Sequence, residues 1–191
     1  MCDLTVGDRV TVTGPSGKRF LIPSSPEDHD FVFLATGTGI APFRGMIKEL
    51  LGAGVKSRIV LIMGSPYRSD LPYHADLQSW EAAHPNFSYL TAVSRERQED
   101  GLPPMYVQDR LAASADFLAP MLSSDRALVY VCGVAGMELG IFQRLARLLP
   151  LSALENYLRV DPAAMSDIDG WTRRMIQREV RPTRRVFLEV Y

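Results

Sequence analysis

The stretch Phe31 to Arg44, FVFLATGTGIAPFR, constrains this chain more than any other. Its first five residues, Phe31 to Ala35, are continuously apolar and rich in β-formers, the pattern of a strand buried on both faces. The run breaks into Thr36-Gly37-Thr38-Gly39, and Pro42 then suits the first turn of a helix, where its missing N–H leaves nothing unsatisfied. The two glycines permit a tight turn and a close backbone approach by a ligand. A strand, a Gly/Thr loop and a helix N-terminus form a natural site for a phosphate or the polar edge of a nucleotide. The GTG spacing falls short of a full GxGxxG fingerprint, and such turns also occur with no ligand. On spacing alone both readings stand.

From Phe31 onward, apolar strands alternate with helical patterns. A helix over 42–53 carries Phe43, Met46, Ile47 and Leu50 on one face and stops at Gly54. Further strands are predicted at 58–63, 87–93, 127–131 and 186–190, with helices at 71–81, 106–115 and 137–149. This order predicts an α/β fold: a doubly wound, Rossmann-like open parallel sheet with helices on both faces. Ligands of such sheets sit at the carboxyl ends of the strands. Four loops therefore converge: Thr36–Gly39, Gly64–Tyr67, Ser94–Arg95 and Cys132–Gly133. Residues 150–182 fit the alternation least. Within them LSALENYL and SDIDGWTRRMIQREV both read as helix-like.

Ahead of Phe31, Val10 and Val12 alternate with Thr11 and Thr13 as a strand, Gly14-Pro15-Ser16-Gly17 is a turn, and Arg19 to Ile22 is a second short strand. Two strands and a turn do not hold themselves together. Such a hairpin either leans on the following domain or closes a β-domain ahead of it, with Ser24 to Asp30 as a hinge. The expected division is residues 1–26 and 27–191.

Composition excludes several classes. With 21 basic and 22 acidic residues the formal net charge is −1, which gives no electrostatic case for nucleic acid. Cys2 and Cys132 lie far apart and form no CxxC, so no disulfide framework or metal site is indicated. No apolar run approaches the roughly 20 residues needed to span a bilayer. MCDLTVGD has neither the basic nor the apolar region of a secretory signal, so a cytoplasmic setting is expected.

Six segments in order, ATGTGIAPFR, GSPYRSDLPY, AVSRE, MYVQDR, VYVCGVAGME and a terminal EVY, resemble the NADP domain of plant-type ferredoxin–NADP reductases. CDL and GDRVTVTGPSGKRFLIP are similar to the end of the FAD-binding barrel in that family, which makes residues 1–26 a barrel remnant and implies that the rest of the FAD-binding domain is missing here. A narrower resemblance, carried by WTRRMIQREVRPTRRVFLEVY, is to reductase components of benzoyl-CoA epoxidase systems.

The resemblance implies NADP and FAD as cofactors, with hydride passing between them. Ser94 and Arg95 would hold the 2′-phosphate, for which a hydroxyl and a fixed guanidinium are the fitting donors. Tyr106 would stack on adenine and reach the same phosphate, and Gln108 would meet the adenine edge. The family usually has a basic residue where Pro104 stands, so Arg97 or Arg110 would have to substitute. Thr36, Gly37, Thr38 and Gly39 would face the pyrophosphate and nicotinamide. Gly64, Ser65, Arg68, Lys18, Gly133 and Met137 complete the cofactor-binding set. Cys132 resembles the thiol beside the nicotinamide, Glu138 the carboxylate at the flavin edge, and Tyr191 the ring that stacks on the flavin. Without a flavin, Tyr191 is expected to be a mobile chain end or to pack against a neighbouring molecule.

Each residue also has a plainer reading: Arg95 as a solvated loop charge, Lys18 as a hairpin lysine, Cys132 as a core thiol, Glu138 as a helix N-terminal acid and Tyr191 as the end of a strand. The implied enzyme passes electrons to or from a ferredoxin-like or fused iron–sulfur protein, and this stretch alone is expected to be inactive. Arg173, Arg174, Arg178, Arg181, Arg184 and Arg185, facing one acid (Glu179) between Trp171 and Arg185, offer such a partner a basic face, although a solvated face is the simpler account. The alternatives are a non-catalytic nucleotide-binding regulatory module and the NADP domain of a diflavin reductase.

Overall fold

The computed structural model of the chain describes residues 3–14 and 20–191. Its main body alternates β1 (Asp30–Thr36), α1 (Ile40–Gly52), β2 (Ile59–Ser65), α2 (His74–Ala83), β3 (Phe87–Val93), α3 (Val107–Ala113), α4 (Ala115–Leu122), β4 (Ala127–Gly133) and α5 (Met137–Leu148). There follow α6 (Leu151–Leu154), β5 (Leu158–Val160), α7 (Pro162–Met165), β6 (Val180–Pro182) and β7 (Val186–Val190). Five strands form one sheet in the order β3-β2-β1-β4-β7, with every pairing parallel. The order reverses between β1 and β4, which makes their carboxyl ends the switch point where such sheets open a crevice.

Alternation along the strands builds two cores. Phe31, Phe33 and Ala35 of β1 face α1 and pack with Phe43, Ile47 and Leu50. Val32 and Leu34 point the other way, into a cluster with Ile141, Phe142 and Leu145 of α5. All five β1 residues are fully buried, and each large apolar side chain so placed contributes about 1.5–3 kcal/mol. A strand buried on both faces has no polar side to show, which is why the sequence runs apolar without a break.

The strands predicted from Phe31 onward stand within one or two residues of those observed, and the doubly wound α/β architecture is present. Four local expectations change. The second helix begins at His74 rather than Leu71, because Pro72 forces the preceding residue out of the helical region and Leu71 is extended at ψ 109°. The 106–115 helix is shorter, and a separate α4 follows a break at Ser114. The segment SDIDGWTRRMIQREV is not helical: it runs through a short turn at Arg173–Met175 into β6, which pairs antiparallel with β5. Finally, no strand forms at Val10–Thr13, and Val10 and Val12 are exposed. Among the described residues no strand pairs with that segment, and an unpaired segment gains little from extension. The turn at 15–17 and the start of the second expected strand lie outside the described residues. Past them, Phe20 packs on Phe43 with ring centroids 5.2 Å apart, and Tyr130 Oη donates to the Leu21 carbonyl at 3.0 Å.

No helix among the described residues is long and apolar enough to cross a membrane.

Candidate functional site

At the carboxyl ends of β1, β2 and β4 lies a cleft of about 560 Å³. Thr36, Gly37 and Thr38 enter from the β1 loop, Gly64, Ser65 and Pro66 from the β2 loop, and Ala92 and Ser94 from the end of β3. Tyr106, Val107 and Gln108 at the start of α3 form one side; Val134 to Met137 and Tyr191 form the other. Ten of the sequence-derived residues thus share one wall system: Thr36, Gly37, Thr38, Gly64, Ser65, Ser94, Tyr106, Gln108, Met137 and Tyr191.

The cleft floor depends on two close backbone approaches. A Cβ on Gly39 would stand 2.2 Å from the Cys132 carbonyl oxygen, so only glycine lets the β1 loop lie against the end of β4. A Cβ on Gly133 would meet Thr36 Oγ1 at 2.1 Å, and φ of +147° also favours glycine there. Neither glycine lines the cleft; both shape it. Thr36 Oγ1 accepts the Val134 N–H at 2.9 Å and lies 3.5 Å from Met137 Sδ. One hydroxyl therefore joins the β1 loop to the turn before α5.

Tyr191 is tied down rather than mobile. Its N–H donates to the Gly133 carbonyl at 3.0 Å and its own carbonyl accepts the Ala135 N–H at 2.8 Å. Its hydroxyl is hydrogen-bonded to Thr38 Oγ1 across the cleft mouth, leaving the residue 63% exposed. The strand pairing of β7 continues into these backbone bonds, which gives the terminal residue its order.

Cys132 and Glu138 stand behind the cleft wall. Cys132 is 5% exposed, and burial, with the Glu189 charge adding to it, pushes its thiol up to about 11. Glu138 is 3% exposed; its Oε2 accepts the Gly136 N–H at 2.6 Å and its Oε1 accepts Arg173 Nε at 2.8 Å. No local pattern marks Arg173 as its partner, because the two lie 35 residues apart and the pairing depends on how 150–182 folds.

The basic residues divide. Arg95 is exposed beside Ser94, with its guanidinium 6.0 Å from the Tyr67 ring centroid. Arg68 is turned to acids: its N–H donates to Glu96 at 2.5 Å and its guanidinium pairs with Glu99 at 3.2 Å. That pair is exposed on both sides and contributes roughly 0–1 kcal/mol, so it costs little to break. Arg97 donates to the Gly101 carbonyl at 3.0 Å. Arg110, expected as a possible stand-in at the phosphate site, is buried and bound to Asp100 at 2.6 Å; burial pushes the Asp100 carboxyl up, but the hydrogen bond and charge of Arg110 together with backbone hydrogen bonds at Leu102 and Asp100 bring it below the ordinary carboxylate value. It is committed to the fold. The expected basic face is also thinner than its sequence, since Arg173 pairs with Glu138 and Arg181 with Asp161, acids outside the window. Lys18 lies outside the described residues.

Residues 33–142 match the family described as the oxidoreductase NAD-binding domain. The ferredoxin–NADP reductase of Synechocystis sp. is 34% identical over 197 residues, covering 100% of this chain and 43% of that protein. The Spirulina sp. ferredoxin–NADP reductase is 37% identical over 147 residues, covering 74% and 50%. The chain thus spans half or less of these relatives' length. Among solved structures, Plasmodium falciparum ferredoxin–NADP⁺ reductase superposes with a TM-score of 0.67 at 20% identity, covering 81% of this chain and 62% of that one. The same enzyme with 2′P-AMP gives 0.57 at 22%, covering 69% and 54%. A glycine-floored cleft at the switch point of a parallel sheet, together with the family match over more than half its length, places the chain in the oxidoreductase NAD-binding domain family, alongside the C-terminal NADP-binding domains of plant-type ferredoxin–NADP reductases.

Proposed function

We propose that this chain binds NADP(H) for a flavoprotein oxidoreductase, holding the nucleotide so that hydride passes between NADPH and FAD and electrons are exchanged with a ferredoxin-like iron–sulfur protein. The observation that carries the reading is the two-ended cleft. Strand order sets the two ends: Ser94 follows β3 at one, Val134 and Tyr191 follow β4 and β7 at the other, and Thr38, Tyr106, Gln108 and Met137 line the space as well. Its volume is within the range of small-molecule sites. Adenosine belongs at the first end, with the Tyr106 ring 63% exposed for stacking and the Ser94 hydroxyl and neighbouring Arg95 available to a 2′-phosphate. The N-terminal turns of α1 and α5 favour the pyrophosphate between them. Nicotinamide belongs at the second end.

The exposed ring of Tyr191 fits an isoalloxazine face, which is why FAD belongs in this reading. Bound flavin would supply the N5 atom that exchanges hydride with nicotinamide. The task left to this chain is positioning: Thr36 and Gly133 fix the wall, and Thr38 and Tyr191 close the mouth. The remaining FAD contacts are assigned to a preceding FAD-binding domain of the same protein, with residues 1–26 as its last part and 27–191 as the nucleotide domain. The names of the relatives support ferredoxin as the electron partner.

Calorimetry with 2′,5′-ADP and 5′-AMP tests the cofactor. The 2′-phosphate should add about 1.5–3 kcal/mol of affinity, and Arg95→Ala should remove most of it. Equal affinities in the unmodified chain would overturn the NADP assignment.

A further inference from the structure

We infer that Arg173 is a positioning residue for the nicotinamide end of the cleft, acting through the Glu138 carboxylate; the inference rests on the NADP(H) reading above. Arg173 belongs to the 150–182 segment, outside residues 33–142 that match the family. Its Nε donates to Glu138 Oε1 at 2.8 Å, and Glu138 Oε2 accepts the Gly136 N–H at 2.6 Å. The arginine stem covers the same turn, since a Cβ on Gly136 would lie 3.9 Å from Arg173 Cδ. Gly136 is in the left-handed region at φ +107° and lines the cleft with Val134, Ala135 and Met137.

The Glu138 carboxylate is too deeply buried to be hydrated, and one backbone amide does not offset the desolvation of a full charge. Arg173 supplies the counter-charge. With it present, Glu138 is held in place and in turn holds the Gly136 amide, which fixes the wall. Ala135 carries the constraint further, because its N–H donates to the Tyr191 carbonyl at 2.8 Å. The Arg173 side chain is itself 55% exposed while the carboxylate is buried, so losing the pair leaves the uncompensated charge on Glu138, at the turn it holds. Segment 150–182 therefore reaches into the site through one guanidinium.

The test uses the chain with Arg173→Ala and Arg173→Lys, titrated with 2′,5′-ADP, which occupies only the adenosine end, and with NADP⁺, which extends to the other. Arg173→Ala should leave 2′,5′-ADP affinity within about twofold and loosen NADP⁺ at least about fivefold, the lower end of ordinary coupling between neighbouring sites. Arg173→Lys should restore much of the loss. Amide exchange at Gly136 should rise about tenfold in Arg173→Ala, with exchange in β1 unchanged. Equal weakening of both ligands, or unchanged NADP⁺ affinity with unchanged Gly136 exchange, overturns the inference and leaves the cofactor reading intact. An unmodified chain that binds neither ligand overturns both.

Discussion

The two ends of the parallel sheet each hold a buried carboxylate paired with arginine, yet they serve opposite purposes. At the amino end, Asp30 is 3% exposed and accepts the Arg58 N–H at 2.9 Å, Arg58 Nε at 3.1 Å and Nη2 at 2.6 Å, with Arg126 Nε at 3.8 Å. Asn86 Nδ2 donates to the carbonyls of Val55 and Ser57, and Ser57 Oγ donates to the Pro26 carbonyl. Polar groups of the loops there satisfy one another. At the carboxyl end, Glu138 and Thr36 bind the turn before α5, and the space in front of that turn stays open. One end closes on itself; the other uses the same interactions to keep a cleft in shape. The difference follows from parallel strands, which put the strand-to-helix loops and the switch-point crevice at the carboxyl edge and leave the helix-to-strand loops at the amino edge.

Breaking the closed end should have the largest effect. Asp30→Ala removes an acceptor shared by two cations, and with both arginines partly solvated the loss should be about 2–3 kcal/mol of stability, seen as a lower denaturation midpoint. Affinity of the folded protein for 2′,5′-ADP should not change. A variant that keeps its stability and loses nucleotide would reverse the roles of the two ends.

Cys132 sharpens the boundary between them, since it is at the open end but behind the wall. Its thiol is raised from 9.0 to about 11, so protonation persists to higher pH and the reactive thiolate is scarcer. In a Cys2→Ser background, alkylation by iodoacetamide near pH 8 should be about a hundredfold slower than for an ordinary thiol, a two-unit shift read as thiolate fraction. The rate should keep climbing through pH 10. A plateau near pH 9 would put the thiol in the cleft rather than behind it.

The smallest effect belongs to Thr36→Val, which keeps the shape and deletes the hydroxyl that joins the β1 loop to Val134. It should cost about 1 kcal/mol in stability, with NADP⁺ affinity falling by a similar amount. A stability loss with unchanged binding would show that the turn does not need this bond to hold the wall.

The sequence by itself determined the five strands of the parallel sheet, the doubly wound architecture and the converging loops, because those depend on apolar periodicity and on glycines at strand ends such as Gly39 and Gly133. It also placed Ser94, Tyr106, Gln108 and Tyr191, since each follows directly from a strand end or opens a helix. What tertiary structure alone decided was the pairing of charges. Arg110 had the right chemistry for a phosphate, but it is buried and Asp100 holds it, whereas Arg68 meets Glu99 in an exposed pair that is easily broken. Segment 150–182 reads as helix by its own residues, yet β5 and β6 pair because Leu158 and Val180 bury into the core on the α5 face of the sheet. Arg173 meets Glu138 for the same reason. A periodic pattern is local and survives in the sequence, whereas an ion pair depends on where two distant segments come to rest, and nothing near either residue records it.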